Sequence, residues 1–239
     1  MRRFVNLAAF VLLFAFAAFQ PVRACDFFAF SDVKSRYINS DSGVVGSKNP
    51  VVQTGLSTTC AHWSFDLWNS SELSGKGKYG RRGGGDENDF ALIYRNSIET
   101  VLGKFNYAAS VAYWALGYGK AGLYGVRDDM TYNYVEVSRP FKIGDATIEP
   151  FVRPSLYQPF NGKGEWVVWG GAKIELPINN WLSLVGNVSV AYSATKHVAV
   201  FRPGGEFNAK LGGGWGVHAG VGYWNDAGTV WYGGASKAF

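Results

Sequence analysis

Residues 165–192 read EWVVWGGAKIELPINNWLSLVGNVSVAY, and their alternation decides the fold. Trp166, Val168, Ala172, Ile174 and Leu176 share one parity. Glu165, Gly171, Lys173 and Glu175 share the other, with Val167 and Trp169 as large exceptions. After Pro177-Ile178-Asn179-Asn180 the pattern resumes: Leu182, Leu184, Val188, Val190 and Tyr192 against Ser183, Asn187 and Ser189. A period of two is a strand signature. Each segment has about the ten residues that a tilted strand needs to cross a bilayer. One apolar and one polar face suit a barrel with lipid outside and a polar interior.

The same reading extended along the chain gives about twelve strands (range 10–14) in one antiparallel, up-and-down transmembrane β-barrel. They are Asp26–Tyr37, Pro50–Thr58, Ala61–Asn69, Asp89–Ser97, Lys104–Ala115, Met130–Ser138, Ala146–Leu156, the two above, Glu206–Leu211, Trp215–Trp224 and Thr229–Phe239. Pro150 and Pro154 are awkward in a strand because proline cannot donate to a ladder. The connections alternate in length. Ile38–Asn49, Ser70–Asn88, Leu116–Asp129 and Ser193–Gly205 read as long. Thr59-Cys60, Lys142–Asp145 and Gly212–Gly214 read as short. Long loops on one rim and tight turns on the other, with both termini at the tight-turn rim, are expected of such a barrel. Trp and Tyr recur near strand ends, at Tyr37, Trp68, Tyr113, Trp114, Tyr157, Trp166, Trp181, Trp215, Tyr223 and Trp224. They read as interfacial girdles.

The N-terminus adds a compartment. Met1-Arg2-Arg3 precedes an apolar run from Leu7 to Phe19, then Pro21-Val22-Arg23-Ala24. A basic start, a short apolar core and a small residue at a cleavage point describe a signal peptide. Residues 1–24 are therefore read as removed and 25–239 as the barrel. The net charge of +5 falls to +2 when Arg2, Arg3 and Arg23 leave, too small to argue for nucleic acid. Cys25 and Cys60, the only cysteines, both fall on the tight-turn rim, where a disulfide is geometrically possible and an exported protein would form one. Val22-Arg23-Ala24-Cys25 also resembles a bacterial lipoprotein signal, with Arg23 a poor fit.

An exported chain, alternating ten-residue segments and a last strand ending on Phe239 resemble the small outer-membrane β-barrel proteins of Gram-negative bacteria. The resemblance implies a bacterial outer-membrane location, contact with outer-membrane lipid and lipopolysaccharide, and Phe239 as the signal read by the barrel-assembly machinery. Trp231, Gly233 and Ala235 occupy the alternate positions before it, and Lys237 stands where an apolar residue is usual.

Candidate chemistry is sparse. His62, Ser64 and Asp66 lie at i, i+2 and i+4, on one face of a strand. A row of that kind spaces its members about 7 Å apart, too far for a hydrogen-bonded relay. Lipid A deacylases, which are barrels, carry His-x-Ser-Asn; here Phe65 replaces the asparagine, so a lipid hydrolase is the minor reading. The inward-facing charges Asp66, Asp89, Arg95, Glu149, Arg153, Glu165, Lys173, Glu175 and Lys210 are the lumen-lining candidates. Mixed signs suit either a selectivity ring or internal pairing that plugs the barrel, with Val167, Trp169 and Trp224 as filling. The Gly75–Gly85 segment, with Lys76, Lys78, Arg81 and Arg82, could meet lipopolysaccharide phosphates but lacks Walker spacing. His197 and His218 read as isolated, so the sequence carries no metal or cofactor motif. Two functions follow: a small-solute pore, or a closed structural or surface-interaction barrel.

Overall fold

The computed structural model describes residues 25–38, 45–73, 87–116, 129–193, 199–225 and 227–239. Residues 1–24, read above as a signal peptide, the basic Gly75–Gly85 segment and His197 lie outside them. The described elements are all strands: β1 (Asp26–Lys34), β2 (Tyr37–Ile38), β3 (Val45–Ser47), β4 (Val51–Cys60), β5 (Trp63–Glu72), β6 (Glu87–Thr100), β7 (Gly103–Leu116), β8 (Met130–Ser138), β9 (Phe141–Ile143), β10 (Ala146–Pro159), β11 (Glu165–Pro177), β12 (Leu182–Ser193), β13 (Ala199–Gly212), β14 (Trp215–Trp224) and β15 (Gly228–Ala238). Each barrel strand pairs antiparallel with its sequence neighbour, and β1 pairs with β15 from Phe28↔Ala238 to Lys34↔Tyr232. The result is a closed barrel of twelve strands in which β8 and β9 together form one stave against β10.

Closure follows from the solvent. Hydrocarbon offers no partner for a backbone N–H or C=O, so a membrane-spanning sheet must satisfy every group within itself. The alternating faces then sort themselves. Trp166, Val168, Ile174 and Leu176 of β11 and Val188, Val190 and Tyr192 of β12 are exposed on the outside. Val167 and Trp169, the large exceptions in the pattern, are buried inside.

The prolines fit for a local reason. The Pro150 carbonyl accepts from Arg139 N–H, so its nitrogen also faces the β8/β9 stave, which is interrupted between Ser138 and Phe141. Pro154 faces the same side, at a gap in the β8–β10 register between Val152↔Val137 and Ser155↔Tyr134. Neither removes a bond that the ladder needs.

Four expectations need correction. The first strand stops at Lys34, and Tyr37–Ile38 instead pairs with β3 inside the first long connection. β13 is 14 residues long, not the short Glu206–Leu211. Pro203 and Gly204-Gly205 conceal its first half, yet Pro203 pairs with Val188 and falls, on the β14 side, in the gap between the Gly204↔Gly222 pair and the Asn225 N–H to Phe201 carbonyl bond. The Ser193–Gly205 connection accordingly shrinks to the short link between Ser193 and Ala199. The tyrosine and tryptophan girdle is also half as populated as expected. Trp166, Trp181, Trp215 and Tyr223 are exposed outside, whereas Tyr37, Trp114, Tyr157 and Trp224 are buried in the interior and Trp68 packs on Tyr37.

The tight-turn rim gathers both ends of the described chain. Gly212, Gly213 and Gly214 all take positive φ (86°, 55° and 79°), a run open to glycine alone without strain. Lys237 lays its ammonium over the rings of Trp215 and Phe239 and donates to the Gly213 carbonyl, so the charge reaches the rim while its stem stays beside apolar surface. Cys25 and Cys60 form a disulfide across β1 and β4, with Cα atoms 4.5 Å apart. The bridge closes a loop containing all of β1, β2, β3 and β4. We expect Cys25→Ser/Cys60→Ser to fold but to lose about 2–4 kcal/mol, read as a lower urea midpoint in detergent micelles.

Candidate functional site

The functional face of such a barrel is its lumen, and the inward side chains divide it by height. The half next to the long connections is packed. Trp114, Tyr132, Tyr157, Val167, Trp169 and Ala191 form one buried cluster across β7, β8, β10, β11 and β12. Its rings meet at 4.8 Å (Trp114–Tyr132) and 4.7 Å (Tyr132–Tyr157). Ile38, Trp224 and Val230 form a second cluster, and Val200 packs against both. Arg202 stacks on Trp169 (5.1 Å) and Trp224 (6.0 Å), which joins the two groups. Trp169 is 2% exposed, and Gln53, Ser70, Glu87 and Ser155 on the same inner wall are equally buried.

The half next to the tight turns is polar and open. A cavity of about 400 Å³ lies against β6–β11, lined among others by Arg95, Asn106, Glu136, Ser138, Glu149 and Lys173. A second, of about 190 Å³, lies toward β12–β15 and includes Glu175, Asn208, Lys210, His218 and Ser236.

Glu136 is the hub of the larger cavity. Arg153 meets it at 2.5 Å and Lys173 at 3.2 Å, from two different strands. Arg153 also stacks over Tyr134 (4.8 Å) and Phe151 (5.7 Å). Glu149 accepts from Ser138 (2.5 Å) and Asn106 (3.2 Å). Arg95 donates to Ser64 at 2.6 Å, and Asp66 accepts from Ser57 at 2.5 Å. Across the lumen, His218 meets Asp32 at 3.0 Å, and Glu206 accepts from Tyr232 (3.0 Å) and Asn208 (2.9 Å). Lys34 lies over the Tyr232 ring. Gly234 makes this wall possible, since a methyl there would fall 2.4 Å from the Ser31 carbonyl oxygen.

The structure therefore does not gather the candidate charges into a ring. Parity sets their face, not their height. Asp89 and Glu165 sit at the packed end, where Asp89 pairs in register with Trp114 and Glu165 accepts from Ser193. Arg95, Glu149, Arg153 and Lys173 meet around the larger cavity, and Glu175 and Lys210 line the smaller one. His62 is not on the strand with Ser64 and Asp66 but in the turn before β5, its ring against Tyr94. Ser64 is buried and engaged by Arg95 and Thr59, so the three do not form a relay. His218 is not isolated, since Asp32 pairs with it.

Glu136 escaped the sequence reading because Tyr132 and Tyr134 blur the alternation around it. The exposed pair Val135 and Val137 would have flagged Glu136 as inward. Val33 flags Asp32 in the same way.

No protein-family model matches the chain, and no curated protein matches it. Solved structures do. KdgM porin is 9% identical, with 90% of this chain and 99% of that chain covered, at a TM-score of 0.54. The β domain of the Bordetella autotransporter BrkA is 13% identical, with 92% and 100% covered, at a TM-score of 0.46. The translocator domain of the autotransporter NalP from Neisseria meningitidis is 11% identical, with 98% and 95% covered, at a TM-score of 0.43. The likeness to KdgM shows the fold: this chain has the architecture of the outer-membrane β-barrels.

Removing the hub should cost stability. Glu136→Ala strands two cations in a partly enclosed wall, which we expect to cost about 1–3 kcal/mol. Arg153→Met should cost less, because Lys173 still faces Glu136. Urea midpoints of the two variants test the order.

Proposed function

We propose that the protein is an integral barrel of the bacterial outer membrane whose lumen is a polar chamber entered from the tight-turn, periplasmic rim and sealed toward the loop rim. One observation carries the reading. The inner side chains of the loop half pack against one another, with Trp169 and its neighbours excluded from solvent. A diffusion pore needs a continuous wetted path; an aromatic layer joined by Val200 and Arg202 opposes one. The closed barrel is thus favoured over the open small-solute pore. The second reading keeps the pore and makes that layer its gate, supported by the mixed-sign wall beneath it.

Residues 1–24 would direct export, and Phe239 would present the C-terminal signal to the assembly machinery. Its N–H donates to the Phe27 carbonyl at 2.9 Å, and its ring is exposed at the rim. Outer-membrane lipid would meet the apolar belt, and lipopolysaccharide the loop rim.

Planar-bilayer recording tests the choice. The wild type should show no steady conductance steps, and Trp114→Ala/Trp169→Ala, which hollows the layer, should show them. Steady conductance by the wild type would replace the sealed reading with the pore.

A further inference from the structure

The larger cavity holds an imbalance that internal pairing does not resolve. Glu136 is matched by Arg153 and Lys173. Arg95 and Glu149, which line the same space, have no counter-ion among the described residues. The two are held ready for one. A single Arg95 nitrogen, Nη1, is anchored on Ser64, which is 2% exposed and is itself fixed by Thr59 Oγ1 at 2.8 Å. A guanidinium has five N–H donors, so the rest of the fork is left for a planar acceptor. Glu149 takes both its hydrogen bonds, from Ser138 and Asn106, on Oε1. Its Oε2 accepts from no described residue.

Register separates the pair. Arg95 is on β6 and Glu149 on β10, with β7 and β8 between. At about 4.8 Å per strand the backbones stand roughly 14 Å apart around the wall, and both side chains line the same cavity. With Glu136 answered by Arg153 and Lys173, Arg95 and Glu149 leave one charge of each sign facing the space. A net-neutral guest that carries one charge of each sign suits that wall better than an ion of either sign. Its volume, about 400 Å³, lies within the range of small-molecule sites. Ser97 and Asn106 supply neutral hydrogen-bonding groups in the same space.

We infer that the chamber binds a small zwitterion of the amino-acid class, its carboxylate on Arg95 and its ammonium on Glu149. The inference rests on the chamber being entered from the tight-turn rim, as proposed above.

Titration calorimetry on the full barrel in detergent micelles tests it, with glycine, serine and glutamine as probes. Glutamine should bind saturably. N-acetylglutamine, which lacks the ammonium, and glutaminamide, which lacks the carboxylate, should each bind at least tenfold more weakly. Arg95→Gln should weaken glutamine tenfold or more and leave glutaminamide unchanged. Glu149→Gln should weaken glutamine equally and leave N-acetylglutamine unchanged. Gel mobility before and after boiling reports folding of each variant, and if one fails to fold, the selectivity of the wild type still decides. No saturable binding of any of the three probes, or equal binding of the blocked forms, would overturn the site. Steady conductance with glutamine binding intact would overturn the sealed lumen and leave the site standing. A silent barrel that binds none of the probes would do the reverse.

Discussion

The structure depends on one requirement: in hydrocarbon, the backbone must find all its hydrogen bonds within the sheet. An open sheet of these strands would leave two bare edges. Pairing β1 with β15 removes both, and the antiparallel neighbour-to-neighbour order lets tight turns do most of the joining. Even the exceptions obey the requirement. Pro150 and Pro203 aim their missing donor at places where the ladder is interrupted. The Cys25–Cys60 bridge lies beside the closure, tying the start of β1 to its other neighbour, β4.

Closure creates a second problem, the interior. A twelve-stranded barrel lies between small barrels that side chains fill and large ones that keep a channel. Here the two solutions are stacked. Aromatic rings fill the loop half, and paired charges line an emptier chamber below. The glycines belong to this division. Inward-facing Gly220 and Gly234 let Tyr232, Glu206 and Asp32 lie close to the wall, where larger residues would push them into the lumen.

Strand identity, facing and the disulfide were legible in the sequence because a period of two and the position of turns are local signals. Height was not. That Asp89 lies beside Trp114 while Arg95 lies beside Ala108 depends on register between strands, which no single segment encodes. The girdle was overfilled for another reason, since position near a strand end was read without its facing. Trp114 and Trp224 stand near strand ends like Trp166 and Trp215, but the inward parity of each sends it to the lumen. Glu136 and the Asp32–His218 pair were hidden for different reasons, the first by inward tyrosines that imitate an outer face, the second because its partners are 186 residues apart in sequence and adjacent only through barrel closure.

The alternation of faces along β11 is the claim on which the rest stands, and site-directed spin labelling tests it directly. Single cysteines placed in turn at positions 166 to 174, in barrels reconstituted in lipid vesicles, would be probed for collision with oxygen, which partitions into lipid. The account predicts high oxygen accessibility at 166, 168, 172 and 174 and low accessibility at 167, 169 and 171, a strict period of two. A flat profile, or oxygen accessibility at 167 and 169 equal to that at 166 and 168, would contradict the barrel.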